Sequence, residues 1–247
     1  CGVNEMLIGT LALPKGNQYC QVYPSVTPVK SKYWLVKPDE WKNEMAMARA
    51  KQFLALALTL PVVPMFIMGT ECGLSLLQAD AVGPKWDYSP MLWDDTPNYG
   101  FSKGKPFVPV NPDGYPSEAT VQAQLADPDS ILNCFRKLAV LRKNNPALQA
   151  NEEVLESYAK VPTQDDQKHY AFLRFSAKSE EKFLIVANLQ PSEQKVRCDF
   201  GKTKHKIVAN YEMINVYDDA RERTLTNNKY EVSLPAYGFK ILKMQRK

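Results

Sequence analysis

Residues 89–113 read SPMLWDDTPNYGFSKGKPFVPVNPD, and this stretch constrains the fold more than any other. Pro90, Pro97, Pro106, Pro109 and Pro112 remove backbone donors and fix φ, so neither a helix nor a central strand can run through it. Trp93, Tyr99, Phe101 and Phe107 make it too apolar for a solvated linker. Such a long, aromatic, irregular segment reads as an ordered functional loop laid on a scaffold. The rest of the chain has to supply that scaffold.

Upstream, WKNEMAMARAKQFLALALT (41–59) is rich in good helix formers, and its second half is apolar on nearly all sides. The pattern predicts a deeply buried helix with Asp39 as its N-cap, ended by Pro61 and Pro64. PMFIMG (64–69) then reads as a short strand buried on both faces, of the parallel-sheet type, and EMLIGTLAL (5–13) as another buried strand. Downstream of the loop, Asp127-Pro128 predicts a helix start, with Asp127 as the cap. Ile131, Leu132, Phe135, Leu138 and Leu141 form its apolar face, and Asn144-Asn145-Pro146 stops it.

After Ala150 the texture changes. HYAFLRFSA (169–177), KFLIVANLQ (182–190), QKVRCDF (194–200), HKIVANYEMI (205–214) and YEVSLPAYGFKILKM (230–244) are strand-like runs separated by turn residues. The organisation expected is an α/β part over 1–150 and an antiparallel all-β part over 151–247.

Composition narrows the function classes. The chain has 247 residues, 45% hydrophobic and 23% charged, with a net charge of +4, and it holds no Lys/Arg-rich block. Nucleic acid is therefore not an expected partner. No apolar run is long enough to span a bilayer, the longest candidate being broken by Pro61 and Pro64. The five cysteines, at 1, 20, 72, 134 and 198, lack CxxC spacing, which points away from a zinc site. Mostly buried free thiols are expected, with Cys1–Cys20 as the one candidate disulfide; no metal and no cofactor are implied. The first residue is Cys1 rather than Met, which suggests a processed chain and hence a secreted or extracellular location.

The wording of these pieces resembles the C-terminal half of the α-amylase superfamily, glycoside hydrolase family thirteen, and within it the maltase and oligo-1,6-glucosidase branch. LTLPVVPMFIMGTECGL (58–74) resembles the family's "tLPGtPfIYYGeEiGl". PMLWDDTPNYGFSKGKPFVPVNP (90–112) resembles its "PMqWD…NaGFs…PWlPVnp", and QLADPDSILNCFRKLAVLRKNNPAL (124–148) its "q..dp.Sil..yrkLi.LRk..paL" helix. The resemblance implies the last part of a (β/α)₈ barrel followed by a sandwich-like β domain. It places the long loop over the barrel rim that carries active sites.

It also implies chemistry that this chain does not visibly hold. Retaining glycosidases need a nucleophilic carboxylate and a general acid about 5–5.5 Å apart, but the chain contains no G-x-R-x-D segment to supply the first. EMLIGTLAL resembles the family's fifth strand, which puts Thr10 at the general-acid position, and a hydroxyl cannot do a tuned carboxyl's work. Lys37-Pro38-Asp39 stands in for the family's Asn-His-Asp triplet, so Asp39 is either the retained third carboxylate or a helix cap. Glu71, Trp93 and Asp94 are the candidate sugar-binding residues, with a hydrogen-bonded turn beside a packed indole as the competing role. Arg49 is a candidate to hold a carboxylate in the barrel mouth, with a solvated helix-face role as the equal alternative, and His169 and His205 are ordinary strand residues.

About 150 residues are too few for a barrel that needs about 250. The early strands are therefore expected on a second polypeptide. The expected function is that of a catalytically inactive homologue with a structural or binding role, α-glucosides being the candidate ligands. The alternatives are the C-terminal chain of an active α-glucosidase and the heavy-chain ectodomain of a heteromeric amino-acid transporter.

Overall fold

The computed structural model describes residues 19–21, 36–66, 68–74, 90–107, 109–111, 114–150, 154–176, 178–203, 207, 210–225 and 228–246. The strand expected at 5–13, Thr10, Cys1, Trp34, Trp86, Asp87 and His205 lie outside them. The chain divides into two compact units, one comprising residues 1–20, 55–64 and 137–247, the other residues 21–54 and 65–136.

Helix α1 runs over Glu44–Thr59, three residues later than the sequence suggests. Its start is set by Asn43, whose Oδ1 accepts from the N–H groups of Met45 at 3.0 Å and Ala46 at 3.2 Å. Asp39 instead sits exposed in a 3₁₀ turn, Pro38–Glu40, and does not cap the helix. The helix's second half is buried throughout, residues 52–59 included, as its all-round apolar pattern requires. Strand β1 (Tyr19–Gln21) pairs with β2 (Val63–Met65), which is shorter than the PMFIMG run. Pro64 cannot donate to a ladder, Gly69 turns at φ 99°, and Val63 and Met68 are each 45% exposed, so two-sided burial does not hold here.

In the second unit the segment after the long loop forms α2 (Val121–Ala126), capped by Thr120, whose hydroxyl accepts from Ala123 N at 3.3 Å. Helix α3 (Ile131–Asn144) follows. Its cap is Ser130, whose Oγ accepts from Asn133 N at 3.1 Å. Asp127 folds onto Asp129 N in the turn before it, at 2.9 Å, so the expected Asp127 start falls one turn early. The stop at Asn144 is as predicted, and Ile131 and Leu138 are fully buried.

The first unit carries two packed antiparallel sheets. A short helix α4 (Val154–Ser157) leads into β3 (Tyr158–Lys160), β4 (His169–Phe175) and β5 (Lys182–Asn188). Strands β6 (Gln194–Asp199), β7 (Tyr211–Asn215), β8 (Ala220–Arg221), β9 (Lys229–Leu234) and β10 (Phe239–Arg246) complete the set. The larger sheet has the order β3-β4-β5-β10-β7-β8, and β6 pairs with β9 in the smaller one. Register places Phe172 opposite Ile185, Ile241 opposite Ile185, and Val196 opposite Val232. Leu173, Leu184, Val186 and Leu242 meet Val196, Cys198, Tyr230 and Val232 in one core between the sheets, which makes the domain a sandwich. The 230–244 run is two strands because Pro235 breaks the ladder. The turn closes with Gly238 N donating to Pro235 O at 2.9 Å, and a Cβ on Gly238 would approach Pro235 Cδ to 2.6 Å.

β4 and β5 are buried on both faces, and alternation sends Phe172 and Arg174 away from the inter-sheet core. Arg174 is fully buried. Its Nη1 donates to Thr59 O at the end of α1 (2.5 Å), its Nη2 to Gln149 O (2.7 Å) and its Nε to Ser157 O (3.1 Å). Arg142 serves the same end of α1, donating to the carbonyls of Leu58 at 2.7 Å, Leu60 at 3.1 Å and Val62 at 2.5 Å. Cations are favoured where a helix leaves its last carbonyls unpaired. Burial still pushes the Arg142 guanidinium down to about 10. Among the described residues no helix is long and apolar enough to cross a membrane.

Candidate functional site

The long loop is built outward from a pinned backbone. Val121 N donates to Leu92 O at 2.8 Å, and Gln122 N to Trp93 O at 2.9 Å, so two residues of the loop are tied to the first turn of α2. On its other edge Trp93 N donates to Tyr99 O at 2.9 Å, closing a tight turn. Asn98 and Tyr99 both adopt left-handed backbone, with φ of 56° and 52°. Asn98 is suited to this, because its amide donates to Ser102 O at 2.9 Å and Gly104 O at 3.1 Å. Leu92 and Met91 point inward and are buried, whereas Trp93 is 47% exposed, Phe101 42% and Phe107 77%.

Asp94 is occupied by its own turn. Its Oδ1 accepts from Thr96 N at 2.9 Å and from the Thr96 hydroxyl, and the hydroxyl first, then the amide, holds the carboxyl below its usual range. Gly100, at φ 67°, lies so close that a Cβ there would approach Asp94 Oδ2 to 2.6 Å. Glu71 likewise turns inward on its own segment, its Oε2 accepting from Gly69 N at 2.9 Å. Asp39 and Asp95 are exposed, and among the described residues no hydrogen bond or ion pair joins Asp39, Glu71 and Asp94 to one another. Arg49 lies 3.8 Å from Glu40 in an ion pair on the exposed side of α1. Trp41 is a core residue, 5% exposed and edge-on to Tyr115 at 5.5 Å, while the Tyr115 hydroxyl donates to Val36 O at 2.9 Å.

Sequence reasoning missed the residue that holds this region together. Gln124 is buried, and its Nε2 donates to Cys72 O and to Ala119 O, both at 3.0 Å, while its Oε1 accepts from Leu132 N at 3.0 Å. It fastens the 70–74 turn to both helices that follow the loop. Gly73, at φ 77°, completes the fit, since a Cβ there would strike Ile131 Cδ1 at 2.5 Å. The resembling QLADPDSIL segment opens on Gln124 but does not reveal this role, because the Cys72 carbonyl that it holds lies 52 residues away in sequence.

Cys72 and Cys198 are buried free thiols, as expected for structural cysteines, and Cys134 is buried as well. Burial, followed by the nearby Glu71 and Asp166 charges respectively, pushes the Cys72 and Cys198 thiols up to about 12. Among the described residues no group of three His, Cys, Asp or Glu could hold a metal ion.

The described residues thus form a helix–loop–helix body with a pinned aromatic loop, joined in sequence to an antiparallel sandwich. Residues 42–151 match the catalytic-domain model of the α-amylases, and residues 160–241 the C-terminal-domain model of the maltogenic amylases. These are an α-amylase catalytic-domain segment and a maltogenic-amylase C-terminal domain, and the homologues of the chain are oligo-1,6-glucosidases and α-glucosidases of glycoside hydrolase family thirteen. Glucan 1,6-α-glucosidase of Streptococcus pneumoniae is 37% identical over 123 residues, 49% of this chain and 21% of that protein. Oligo-1,6-glucosidase of Parageobacillus thermoglucosidasius is 30% identical over 152 residues, 60% of this chain and 25% of that protein. The chain thus spans a quarter or less of the length of these relatives.

Solved structures agree on the fold. A variant of isomaltulose synthase from Erwinia rhapontici, in complex with D-glucose, matches with a TM-score of 0.59 at 19% identity, covering 84% of this chain and 40% of that one. Trehalose-6-phosphate hydrolase of Bacillus licheniformis matches with a TM-score of 0.58 at 20% identity, covering 83% and 40%. The fold is therefore the last part of a (β/α)₈ barrel followed by a β-sandwich domain. Nothing in these matches supports the transporter heavy-chain alternative.

Proposed function

We propose that the chain is the recognition part of an α-glucosidase-type protein. It contributes the aromatic loop and the C-terminal domain, and binds α-glucosides without supplying the bond-breaking carboxylates. The observation that carries this reading is Trp93, an exposed indole on a backbone pinned from both sides. Indole faces stack on apolar sugar faces, and a fixed platform loses little entropy on binding. The carboxylates of Asp94 and Glu71 are each engaged by their own turn, which suits them to shaping those turns rather than to proton transfer. Asp39 lies exposed in a 3₁₀ turn, with no other carboxylate hydrogen-bonded to it among the described residues.

The chain spans only a part of its relatives' length, and the early barrel strands come, in this reading, from further polypeptide. Any hydrolysis belongs to carboxylates carried there. The test uses the protein with that partner polypeptide in place. Trp93→Ala is expected to weaken isomaltose or maltose binding about tenfold, while Trp93→Phe retains most of it and both melt within a few degrees of the parent. Asp39→Asn is expected to leave any glucose release unchanged. Unaltered sugar affinity in Trp93→Ala, or turnover abolished by Asp39→Asn, would refute the reading.

A further inference from the structure

The C-terminal sandwich carries a groove of about 530 Å³ between the 162–164 strap, strands β6 and β9, and residues 223–224. That is the size of a small-molecule site (roughly 300–1,000 Å³). One wall is pre-formed. Gln164 donates to Lys195 O at 2.6 Å and accepts from Arg197 N at 2.7 Å, lacing the strap to β6, and Thr163 donates through N and Oγ1 to Asp166, both at 2.8 Å.

The lining is unevenly charged. Arg197, Lys202, Arg223 and Lys229 face Asp199 and Glu231, four cations less two carboxylates, a net of +2. Arg197 is committed to Glu231 at 2.6 Å, and Lys202 stands 3.9 Å from Asp199. The side chains of Arg223 and Lys229 make no ion pair or hydrogen bond among the described residues, which leaves two cations uncommitted at one groove. Beneath them Tyr230 is 2% exposed, and its hydroxyl has no hydrogen-bond partner among the described residues. A buried hydroxyl in that condition is uncommon. Burial, then the Glu222 charge, raises its pKa, so it stays a protonated donor.

We propose that this groove binds a small phosphorylated ligand, its dianionic head between Arg223 and Lys229. Two uncommitted cations match a dianion, where a carboxylate would leave one unmatched. The guanidinium fork fits two phosphate oxygens, and the lysine adds a point charge. A ligand oxygen against the groove floor would give the Tyr230 hydroxyl the acceptor it lacks. Pro162, half-buried at the groove's edge, offers apolar surface to the ligand's body. This site lies wholly in the β domain and is independent of the sugar-recognition reading of Trp93.

The test is calorimetric titration of the full chain with glucose 6-phosphate, inorganic phosphate and glucose, with melting followed in parallel. Both phosphates are expected to bind, more weakly as salt is raised. Arg223→Gln and Lys229→Gln are each expected to lower that affinity about tenfold, the value of one charge-assisted contact, with the ligand-free melting temperature unchanged. Tyr230→Phe is expected to weaken it severalfold. Tighter binding of glucose 6-phosphate than of inorganic phosphate would assign the site to a sugar phosphate, and equal binding would assign it to phosphate itself. The proposal is overturned by phosphate binding that survives Arg223→Gln, by absence of phosphate binding, or by glucose binding that Arg223→Gln abolishes equally.

Discussion

Arg174 Nη1 lies 2.5 Å from the carbonyl oxygen of Thr59, a residue 115 positions earlier in the chain. One fully buried guanidinium thereby joins the end of a helix to the start of the β domain. Arg174→Met keeps the bulk but leaves the Thr59, Gln149 and Ser157 carbonyls without this donor. At roughly 1–3 kcal/mol for a buried group left unpaired, a loss of about 3–5 kcal/mol is expected. Arg174→Lys should rescue little, since one ammonium cannot span three diverging acceptors. Urea unfolding of both variants would check this, and a midpoint equal to the parent's would refute it.

Gln124→Leu should cost about 2–4 kcal/mol, by removing donors to Cys72 O and Ala119 O and the acceptor for Leu132 N. Gln124→Glu should not restore it, because a carboxylate offers no N–H to the two carbonyls. Thermal melts of the pair decide the matter; a wild-type-like glutamate variant would count against this hub.

Gly100→Ala forces a side chain onto the Asp94 carboxylate at a backbone φ of 67°. A cost of about 1–2 kcal/mol is expected. In the double variant with Asp94→Ala, the steric part should vanish and the backbone part remain, a coupling readable in a double-mutant cycle. Strict additivity would show that the carboxylate is not the obstacle.

His169 is 2% exposed, and neither ring nitrogen has a partner among the described residues. Burial lowers its folded pKa, with the Asp165 charge working against the shift. The unfolded imidazole takes a proton near pH 6.5, so below that pH the unfolded state binds more protons than the native one. Stability should fall as pH drops below about 6.5, levelling off once the folded pKa is passed. His169→Leu should flatten that part of the curve. An unchanged slope between pH 6.5 and 5 in the variant would assign the acid sensitivity elsewhere.

Cys72 and Cys198, with thiols pushed up to about 12, should resist a maleimide in the native protein at pH 8 and react once it is denatured. Rapid native labelling of either, read by peptide mass, would contradict their burial.

Local chemistry was legible where it has one solution. The proline-dense loop, the stop at Asn144-Asn145-Pro146 and the runs that became β4, β5 and β6 all follow from residue type and period. The helix starts were misplaced because Asp39 and Asn43, like Asp127 and Ser130, are equally good caps by type. Packing several residues downstream decides between them. Trp93 offered no pattern to separate a packed indole from an exposed one. Arg174 and Gln124 were invisible for another reason, since both answer to backbone carbonyls that no sequence period connects to them.

The strand order of the larger sheet puts β10, the last of its strands in sequence, between β5 and β7. As the chain leaves a ribosome, the β4–β5 hairpin can form early, but its inner edge stays open until residues 239–246 have cleared the exit tunnel. That edge displays Phe183, Ile185 and Ala187, all of which end with no surface showing. The sandwich is thus sealed by a late insertion rather than grown outward strand by strand. A chain cut before residue 239 would leave an adhesive hairpin, which marks the interval between synthesis of β5 and of β10 as the one in which a holding chaperone matters most.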